Sequence, residues 1–359
     1  MKHFKKSTKL FYFLALKLQK ILHTKRFSSP IKILVSFFIT ILSFNFSLGQ
    51  NYSQFDKSDT ISISSRVFQS ERKIIVTKPK NIKPDSKENS CILYLDANFR
   101  NLNGIFLQSA NNLISNNEIP SSYLIGIVQE DRDSELLEKN KLLDFITEEV
   151  VPLLKKNYNI SQNITIAGHS FGAYFATYAF LKSNNIFNSC IAISPAYWPN
   201  NEDVLKLMAK IVKTNSATGN FYLLTGDKRW DEISLRKYIF KAQKILNNNK
   251  KIRFNFYDLK GFSHNATPTV GFGLGLNFIY DEWEWGNILE EQEERLTDFP
   301  DFWGHLEIKG DALFHLKRVS EAKTVYQEAL RKVPIDKDLS GNEKIEITKR
   351  LNNKIKNCY

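Results

Sequence analysis

Cysteine and histidine are scarce in this sequence. Three cysteines and six histidines occur among 359 residues. They form no C-x-x-C pair and no H-E-x-x-H segment, which are spacings from which zinc sites are built, so we expect no metal site. Three cysteines cannot all pair within one chain, and Cys91 and Cys190 lie in apolar, strand-like runs, where buried free thiols are expected.

Acidic residues are absent from the first 50 positions. That segment contains nine Lys or Arg residues and no Asp or Glu. The formal net charge of the whole chain is +12, and removing those nine leaves +3 for residues 51–359. The basic excess therefore belongs to a leader, and the rest of the chain gives no electrostatic reason to expect DNA or RNA as a partner.

The leader also contains an apolar run that is too short to span a bilayer comfortably. Residues 33–44 read ILVSFFITILSF, which is typical of a signal-peptide core. Ser47 and Gly49 place small side chains three and one residues before Gln50, as a cleavage site requires. We predict a signal peptide over residues 1–49, export to the periplasm or the exterior, and no stable membrane anchor after cleavage. The alternative is an uncleaved N-terminal anchor.

After a linker at residues 50–59, the pattern is that of an α/β protein. Residues 61–68 and 73–77 alternate in a strand-like way, which predicts an antiparallel pair. Short apolar runs then alternate with helix-length segments, and this order predicts a mostly parallel sheet flanked by helices over residues 60–286. The apolar runs are residues 91–95, 123–128, 164–167, 190–193, 221–224 and 252–257, and the helical segments are residues 136–158, 171–182, 204–212 and 234–246.

One strand-to-helix junction contains G-H-S-F-G at residues 168–172. A G-x-S-x-G segment in this context is a nucleophile elbow, in which a sharp turn presents the serine and larger side chains at the glycine positions would collide. We predict Ser170 as the nucleophile. The alternative is a glycine-rich packing turn with an idle serine.

A serine hydroxyl needs a general base, normally a histidine that a carboxylate orients. In α/β-hydrolases this histidine follows a late strand, and His264 lies just past the run at residues 252–257. The alternative for His264 is a plain surface histidine. The acid should precede it, in the loop after residues 221–224, where Asp227 and Asp231 are both candidates. Each has the alternative of a solvated loop charge or a helix N-cap.

Backbone N–H groups should bind the oxyanion of such a reaction. One belongs to Phe171, directly after the nucleophile, and the second to the loop after the first parallel strand, which contains Ala97 and Asn98. Backbone donors leave no signature in the side chains, so the second position rests on the order of the elements.

Five segments between about residues 61 and 285 follow one another in a distinctive order. They are L-Y-L-D at 93–96, G-I-V with D-R between 126 and 132, G-H-S-F-G at 168–172, S-P-A-Y-W at 194–198 and S-H-N-A-T-P at 263–268. In these motifs the chain resembles the putative esterase family of α/β-hydrolases, which includes esterase D, mycolyltransferases, feruloyl esterases and siderophore esterases. The resemblance implies the α/β-hydrolase fold, Ser170 as nucleophile, His264 as base, and Phe171 with Asn98 or Ala97 as oxyanion donors.

The sequence departs from the family's motifs at two positions. Ala97 replaces the glycine of the D-G turn, and Arg229 stands where relatives often have the glutamate of G-D-K-E. The acid is therefore expected at another position of this loop, with Asp231 favoured over Asp227. The alternative is an enzyme that works largely with a Ser-His pair.

The C-terminal segment is expected to form a small helical annex over residues 303–359, after a linker at residues 287–302. Residues 303–336 fit one tetratricopeptide repeat that ends at Pro334, although Lys309 does not fit. A single repeat cannot bury its own face, so we expect it to dock on the hydrolase domain or on the final helix. Its function is then either that of a cap without a partner or that of a site for a protein partner.

These features predict an exported serine esterase that hydrolyses a small-molecule carboxylic ester through an acyl-enzyme and needs no cofactor. The alternatives are a non-catalytic binding or scaffold protein that uses the annex, and an acyltransferase. Four tryptophans suggest an aromatic rim around the cleft, which would suit siderophore, aryl and sugar esters alike. They are Trp198, Trp230, Trp283 and Trp285.

Overall fold

The computed structural model describes residues 53–80, 89–183 and 185–358. The leader predicted over residues 1–49 lies outside them. Within these residues the strands are β1 (Asp59–Ser65), β2 (Ser70–Thr77), β3 (Asn89–Tyr94), β4 (Ser122–Ile127), β5 (Ile160–His169), β6 (Phe187–Ile193), β7 (Gly219–Thr225) and β8 (Ile252–Asp258). The α-helices are α1 (Leu102–Ser115), α2 (Arg132–Glu138), α3 (Asn140–Phe145), α4 (Val151–Tyr158), α5 (Phe171–Lys182), α6 (Pro199–Thr214), α7 (Trp230–Leu246), α8 (Pro268–Asp298), α9 (Trp303–His315), α10 (Val319–Lys332) and α11 (Gly341–Lys356).

The strands form one eight-stranded sheet in the order β1-β2-β4-β3-β5-β6-β7-β8. β1 and β2 pair antiparallel, as do β2 and β4, and the remaining neighbours are parallel. The antiparallel pair and the mostly parallel sheet predicted from the sequence are therefore confirmed. Helices connect the parallel strands because a chain that leaves one end of a strand must cross back before it can pair in parallel.

Helices cover both faces of the sheet, and β6 shows how the two cores are separated. Cys190 and Ala192 belong to the core under α4, α5, α6 and α7, whereas Ile191 and Ile193 belong to the core under α1 and α8. This alternation follows from the two-residue period of a strand, and a strand buried on both faces reads as a continuous apolar run. Cys91 and Cys190 are buried free thiols, as expected.

Helix α8 differs most from the sequence-based expectation. It continues through most of the segment expected to be a linker, residues 287–302, and ends at Asp298. It kinks at Tyr280, whose φ and ψ are −108° and 18°. A Cβ at Gly275 would lie 2.6 Å from Cγ2 of Ile191, so the absence of a side chain lets α8 approach the sheet closely. Among the described helices, none is both long and apolar enough to cross a membrane.

The C-terminal helices α9, α10 and α11 share a third apolar core. Leu313 and Tyr326 are buried in it, and Leu289, from the second half of α8, joins them. A Cβ at Gly310 would overlap the ring of Tyr326, so this glycine allows α9 and α10 to pack closely. The annex is thus helical, and its helices α9 and α10 pack against α11 and the second half of α8. Its assignment as a tetratricopeptide repeat stays a prediction.

Candidate active site

The elbow between β5 and α5 holds Ser170 in a strained backbone conformation. Its φ is 58° and its ψ is −119°, a combination that L-residues rarely adopt outside functional sites. A Cβ at Gly168 would overlap the backbone of Gly172, which explains the first glycine of the motif. The amide of Ser170 donates to the carbonyl of Ile193 at 3.1 Å, so the turn is fixed to β6.

Three side chains from different elements form a hydrogen-bonded series at this elbow. Oγ of Ser170 lies 3.0 Å from Nε2 of His264, and Nδ1 of His264 lies 2.8 Å from Oε2 of Glu232. Ser170 precedes α5, Glu232 lies in the first turn of α7, and His264 begins the short turn before α8. The structure brings together the predicted Ser170 and His264, and it adds a carboxylate that sequence reasoning missed.

The acid was expected at Asp231 or Asp227, and the structure places neither against His264. Asp231 is exposed on the outer side of α7. Both carboxylate oxygens of Asp227 accept backbone N–H groups, from Lys228 at 2.7 Å and from Gly261 at 3.0 Å. Glu232 faces inward because α7 begins at Trp230. The helical period puts Glu232 on the same buried face as Leu235, Arg236 and Ile239.

Glu232 is held as a buried carboxylate by neutral donors. One of its oxygens, Oε1, accepts from the hydroxyl of Thr225 at 2.6 Å and from the amide of Gly226 at 2.7 Å. Burial alone would raise the pKa of Glu232. The hydrogen bonds from His264, Thr225 and Gly226 outweigh that effect and hold the pKa below its ordinary value. At neutral pH the residue is therefore a carboxylate.

Arg236 supports the loop that carries these donors. Its guanidinium binds both carboxylate oxygens of Asp258, at 2.8 and 2.9 Å, and also donates to the carbonyl of Gly226. The bonds from Arg236 lower the pKa of Asp258 to about 2. This pair connects the ends of β7 and β8, which fixes Gly226 where its amide meets Glu232.

Of the two amides predicted as the second oxyanion donor, those of Ala97 and Asn98, only that of Ala97 is bonded within the described part of the fold. The amide of Ala97 donates to the carbonyl of Ile127 at 3.1 Å, so Ala97, one of the expected donors, is occupied within the fold. In the part of the chain that the structure describes, the amides of Asn98 and Phe171 donate to no protein acceptor. The side-chain amide of Asn98 is bound to the backbone of Gln129, by bonds of 2.8 and 3.3 Å, which orients the loop.

A buried ion pair supports this loop from below. Asp96 is fully buried, has a φ of 64°, and binds Arg132 through two bonds of 2.7 and 2.9 Å. A Cβ at Gly172 would lie 2.7 Å from the Asp96 carboxylate. The second glycine of the elbow therefore also makes room for the carboxylate that anchors the neighbouring loop.

The rim of the site carries aromatic rings and guanidinium groups. Arg132 lies 4.1 Å from the ring centroid of Phe99 and 5.7 Å from that of Phe171, and Trp198 lies 6.0 Å from Phe171. Of the tryptophans expected at the cleft, Trp285 instead stacks on a histidine of the annex.

Arg100 lies at this rim, on the side of His264. It lies 5.0 Å from the ring centroid of Phe99 and hydrogen-bonds the side chain of Asn265, the residue after His264. Both residues are exposed. The mouth of the site is therefore positively charged at a position adjoining the base.

The mostly parallel sheet with helices on both faces and a serine at a strand-to-helix elbow has the α/β-hydrolase fold, in which a hydroxyl, an imidazole and a carboxylate are bonded in such a series. A family model described as Putative esterase matches residues 65–324, more than half of the chain. The chain belongs to this esterase family. No curated protein matches it in sequence.

Solved structures of low sequence identity share the fold. The BES protein from Bacillus cereus matches with a TM-score of 0.56 at 21% identity, over 63% of this chain and 96% of that one. An IroE-like serine hydrolase from Shewanella oneidensis matches with a TM-score of 0.55 at 14% identity, over 84% of this chain and 100% of that one. The siderophore hydrolase EstB from Aspergillus nidulans matches with a TM-score of 0.52 at 16% identity, over 62% and 96%.

Proposed function

We propose that the protein is an exported serine esterase in which Ser170 is the nucleophile, His264 the general base and Glu232 the acid that orients it. The observation that carries this proposal is the continuous hydrogen-bonded series from Ser170 through His264 to Glu232. The site lies at the carboxyl ends of the parallel strands, where ligands bind in open α/β sheets.

The reaction follows from the positions of these atoms. Nε2 of His264 takes the hydroxyl proton as Oγ of Ser170 attacks the ester carbon, and the amides of Phe171 and Asn98 bind the oxyanion. The C–O bond then breaks, and the alcohol leaves with the proton from His264. Water attacks the acyl-enzyme with His264 again as base, which releases the acid and restores Ser170. The Glu232 carboxylate stabilises the imidazolium in both halves.

The scaffold alternative depended on the apparent loss of the family's acid at position 229. Glu232 occupies the position that this acid would need, so we prefer catalysis to a non-catalytic role. Acyl transfer to an alcohol uses the same acyl-enzyme, and the two reactions differ only in what attacks it.

The rim supports an aryl ester with a negative charge as the substrate. In the described part of the chain no carboxylate pairs with Arg100, whose partner is the neutral Asn265. Phe99 and Trp198 supply apolar faces beside it. An anionic aromatic group would therefore gain both stacking and charge pairing at this mouth.

The nucleophile is tested with mature protein and a panel of aryl, feruloyl and catecholate esters. Ser170→Ala should lower kcat about a millionfold relative to native protein, leaving the contribution of the oxyanion hole and binding. A fluorophosphonate should add to native protein at Ser170 and not to the variant, as read by mass spectrometry. Activity like that of native protein in Ser170→Ala would refute the assignment.

Acyl transfer is tested by adding an alcohol to the reaction. An alcohol that diverts product from the acid to a new ester would identify a transferase.

The charge preference is tested with two aryl esters that differ only in a carboxylate on the ring. Arg100→Gln should lower kcat/KM for the anionic ester about tenfold and leave the neutral one unchanged, since one screened charge pair is lost. Lys156→Gln removes the same charge from an exposed position on α4 and should change neither value. Equal effects of Arg100→Gln on both esters would refute the preference.

Export is tested on protein from its native host. The mature chain should begin at or near Gln50, because the charge and apolar run of residues 1–49 are transport signals. An intact Met1 in the cytoplasm would contradict this proposal.

A further inference from the structure

His169, the residue before the nucleophile, contacts the base directly. Its Nε2 lies 2.9 Å from the backbone carbonyl oxygen of His264. The two imidazole rings are tilted against each other, with centroids 4.4 Å apart and planes inclined by 39°. His169 is 5% exposed. The general mechanism of a Ser-His-acid site assigns no role to this residue.

The partner of His169 determines its tautomer. A carbonyl oxygen can only accept, so Nε2 must carry the proton and donate it. Burial, together with the nearby charges of His264, Arg132 and Arg100, lowers the pKa of His169 well below its ordinary value. Both effects favour the neutral ring, in which Nε2 is the donor.

The carbonyl of His264 receives two donors, and together they fix the backbone of the base. Besides His169, the hydroxyl of Thr267 donates to it at 2.7 Å, and this hydroxyl also lies 3.0 Å from Oγ of Ser194. The side chain of His264 is oriented separately, by Glu232. The donor from His169 differs from the other restraints because it comes from the elbow itself, one peptide bond from Ser170.

We propose that His169 is a positioning residue that sets the distance between Ser170 and His264 by donating its Nε2–H to the backbone carbonyl of His264. This inference rests on the proposed esterase function. Strand β5 ends at His169, so His169 and the nucleophile Ser170 lie in the same rigid turn. The hydrogen bond from His169 holds the backbone of His264 to that turn. A small movement of His264 matters because displacement of a catalytic group by about 1 Å costs about a hundredfold in rate.

Two variants of His169 separate the hydrogen bond from packing. In His169→Gln the amide nitrogen can occupy the place of Nε2, whereas in His169→Asn it is one bond too short to reach His264. Both variants lose the ring. We expect His169→Gln to keep kcat within about threefold of native protein and His169→Asn to lose between about tenfold and a hundredfold, with KM nearly unchanged in both. Equal losses in the two variants, or no loss in either, would overturn the proposal.

A spectroscopic signature tests the same inference without turnover. The proton on Nδ1 of His264, bound to Glu232, should give a far-downfield proton NMR signal. This signal should persist in His169→Gln and shift or broaden in His169→Asn. Identical spectra in the two variants would contradict the positioning role. If native protein hydrolyses no ester while the two spectra differ as expected, the esterase proposal is wrong, but the positioning of His264 by His169 is supported.

Discussion

Two buried glutamates, one at the active site and one in the annex, are held in opposite ways. Glu232 and Glu307 are 0% and 6% exposed. Glu307, on α9, binds Arg350 through two bonds of 2.8 Å and Lys354 at 2.8 Å. Among the residues that the structure describes, no Lys or Arg hydrogen-bonds Glu232, which receives a hydroxyl, an amide and a histidine.

The difference shows what each buried charge is for. In the annex, Arg350 and Lys354 neutralise Glu307 permanently, so the cluster can only fasten α11 to α9. At the active site, neutral donors keep Glu232 ionised, and the guanidinium of Arg236 acts on its charge only through space. A carboxylate in that state stabilises a positive charge on His264 when one forms. The active site therefore uses neutral donors around its glutamate, whereas the annex uses cations.

The sharpest way to break this comparison is Glu232→Gln. We expect kcat to fall by up to about ten-thousandfold, since an amide neither stabilises the imidazolium nor fixes the correct tautomer. Asp231→Asn, one residue away and exposed, is the matched control and should keep the native rate. Asp227→Asn should cost less than about tenfold, because Asp227 does not contact His264 and an amide oxygen keeps one of its two backbone hydrogen bonds. A Glu232→Gln enzyme with native kcat would show that the acid lies elsewhere or is dispensable.

Glu307→Gln should lower the stability of the protein and leave kcat unchanged. It removes charged hydrogen bonds between α9 and α11, so the free energy of unfolding should fall by about 2 kcal/mol. The side chains of Arg350 and Lys354 are 45% and 26% exposed, and the freed cations can reach water. Urea denaturation measures the loss, and kcat at a temperature where the variant is folded should be native. A large fall in kcat there would mean that the annex takes part in the chemistry.

The smallest effect concerns pH and sharpens the comparison further. Hydrogen bonds hold the pKa of both Glu232 and Glu307 below the ordinary 4.5, against the opposing effect of burial. The unfolded chain therefore binds more protons, and the stability from each group is complete above pH 4.5 and is lost as pH falls. Each Gln variant should flatten this part of the stability profile.

Salt should distinguish the two groups within that pH range. It should weaken the contribution of Glu307, whose cations are partly exposed, more than that of Glu232. Denaturation of the native protein and both variants at low and high salt tests this. Equal sensitivity to salt would remove the distinction between the two sites.

Sequence reasoning could predict the sheet, the elbow and the His264 loop because each depends on local pattern and chain order. It missed Glu232 because a family motif directed attention to position 229. The helical period from Glu232 to Leu235, Arg236 and Ile239 would have identified the inward face of α7.

Helix α8 could not be predicted from local sequence, because it contains four glycines and glycine has a low helix propensity. Two of these, Gly271 and Gly275, pack against the sheet, so tertiary contacts outweigh that propensity.

Helix α8 also determines how this protein can be divided. Its first half packs on the sheet through Gly271 and Gly275, directly after the turn that carries His264, and its second half supplies Leu289 to the core of the annex. No loop separates the two parts, because the two halves of one 31-residue helix, which kinks at Tyr280, belong to them. The annex is therefore not an interchangeable module. An exchange between relatives that keeps both cores intact must transfer the annex together with the wall of the catalytic domain on which α8 lies.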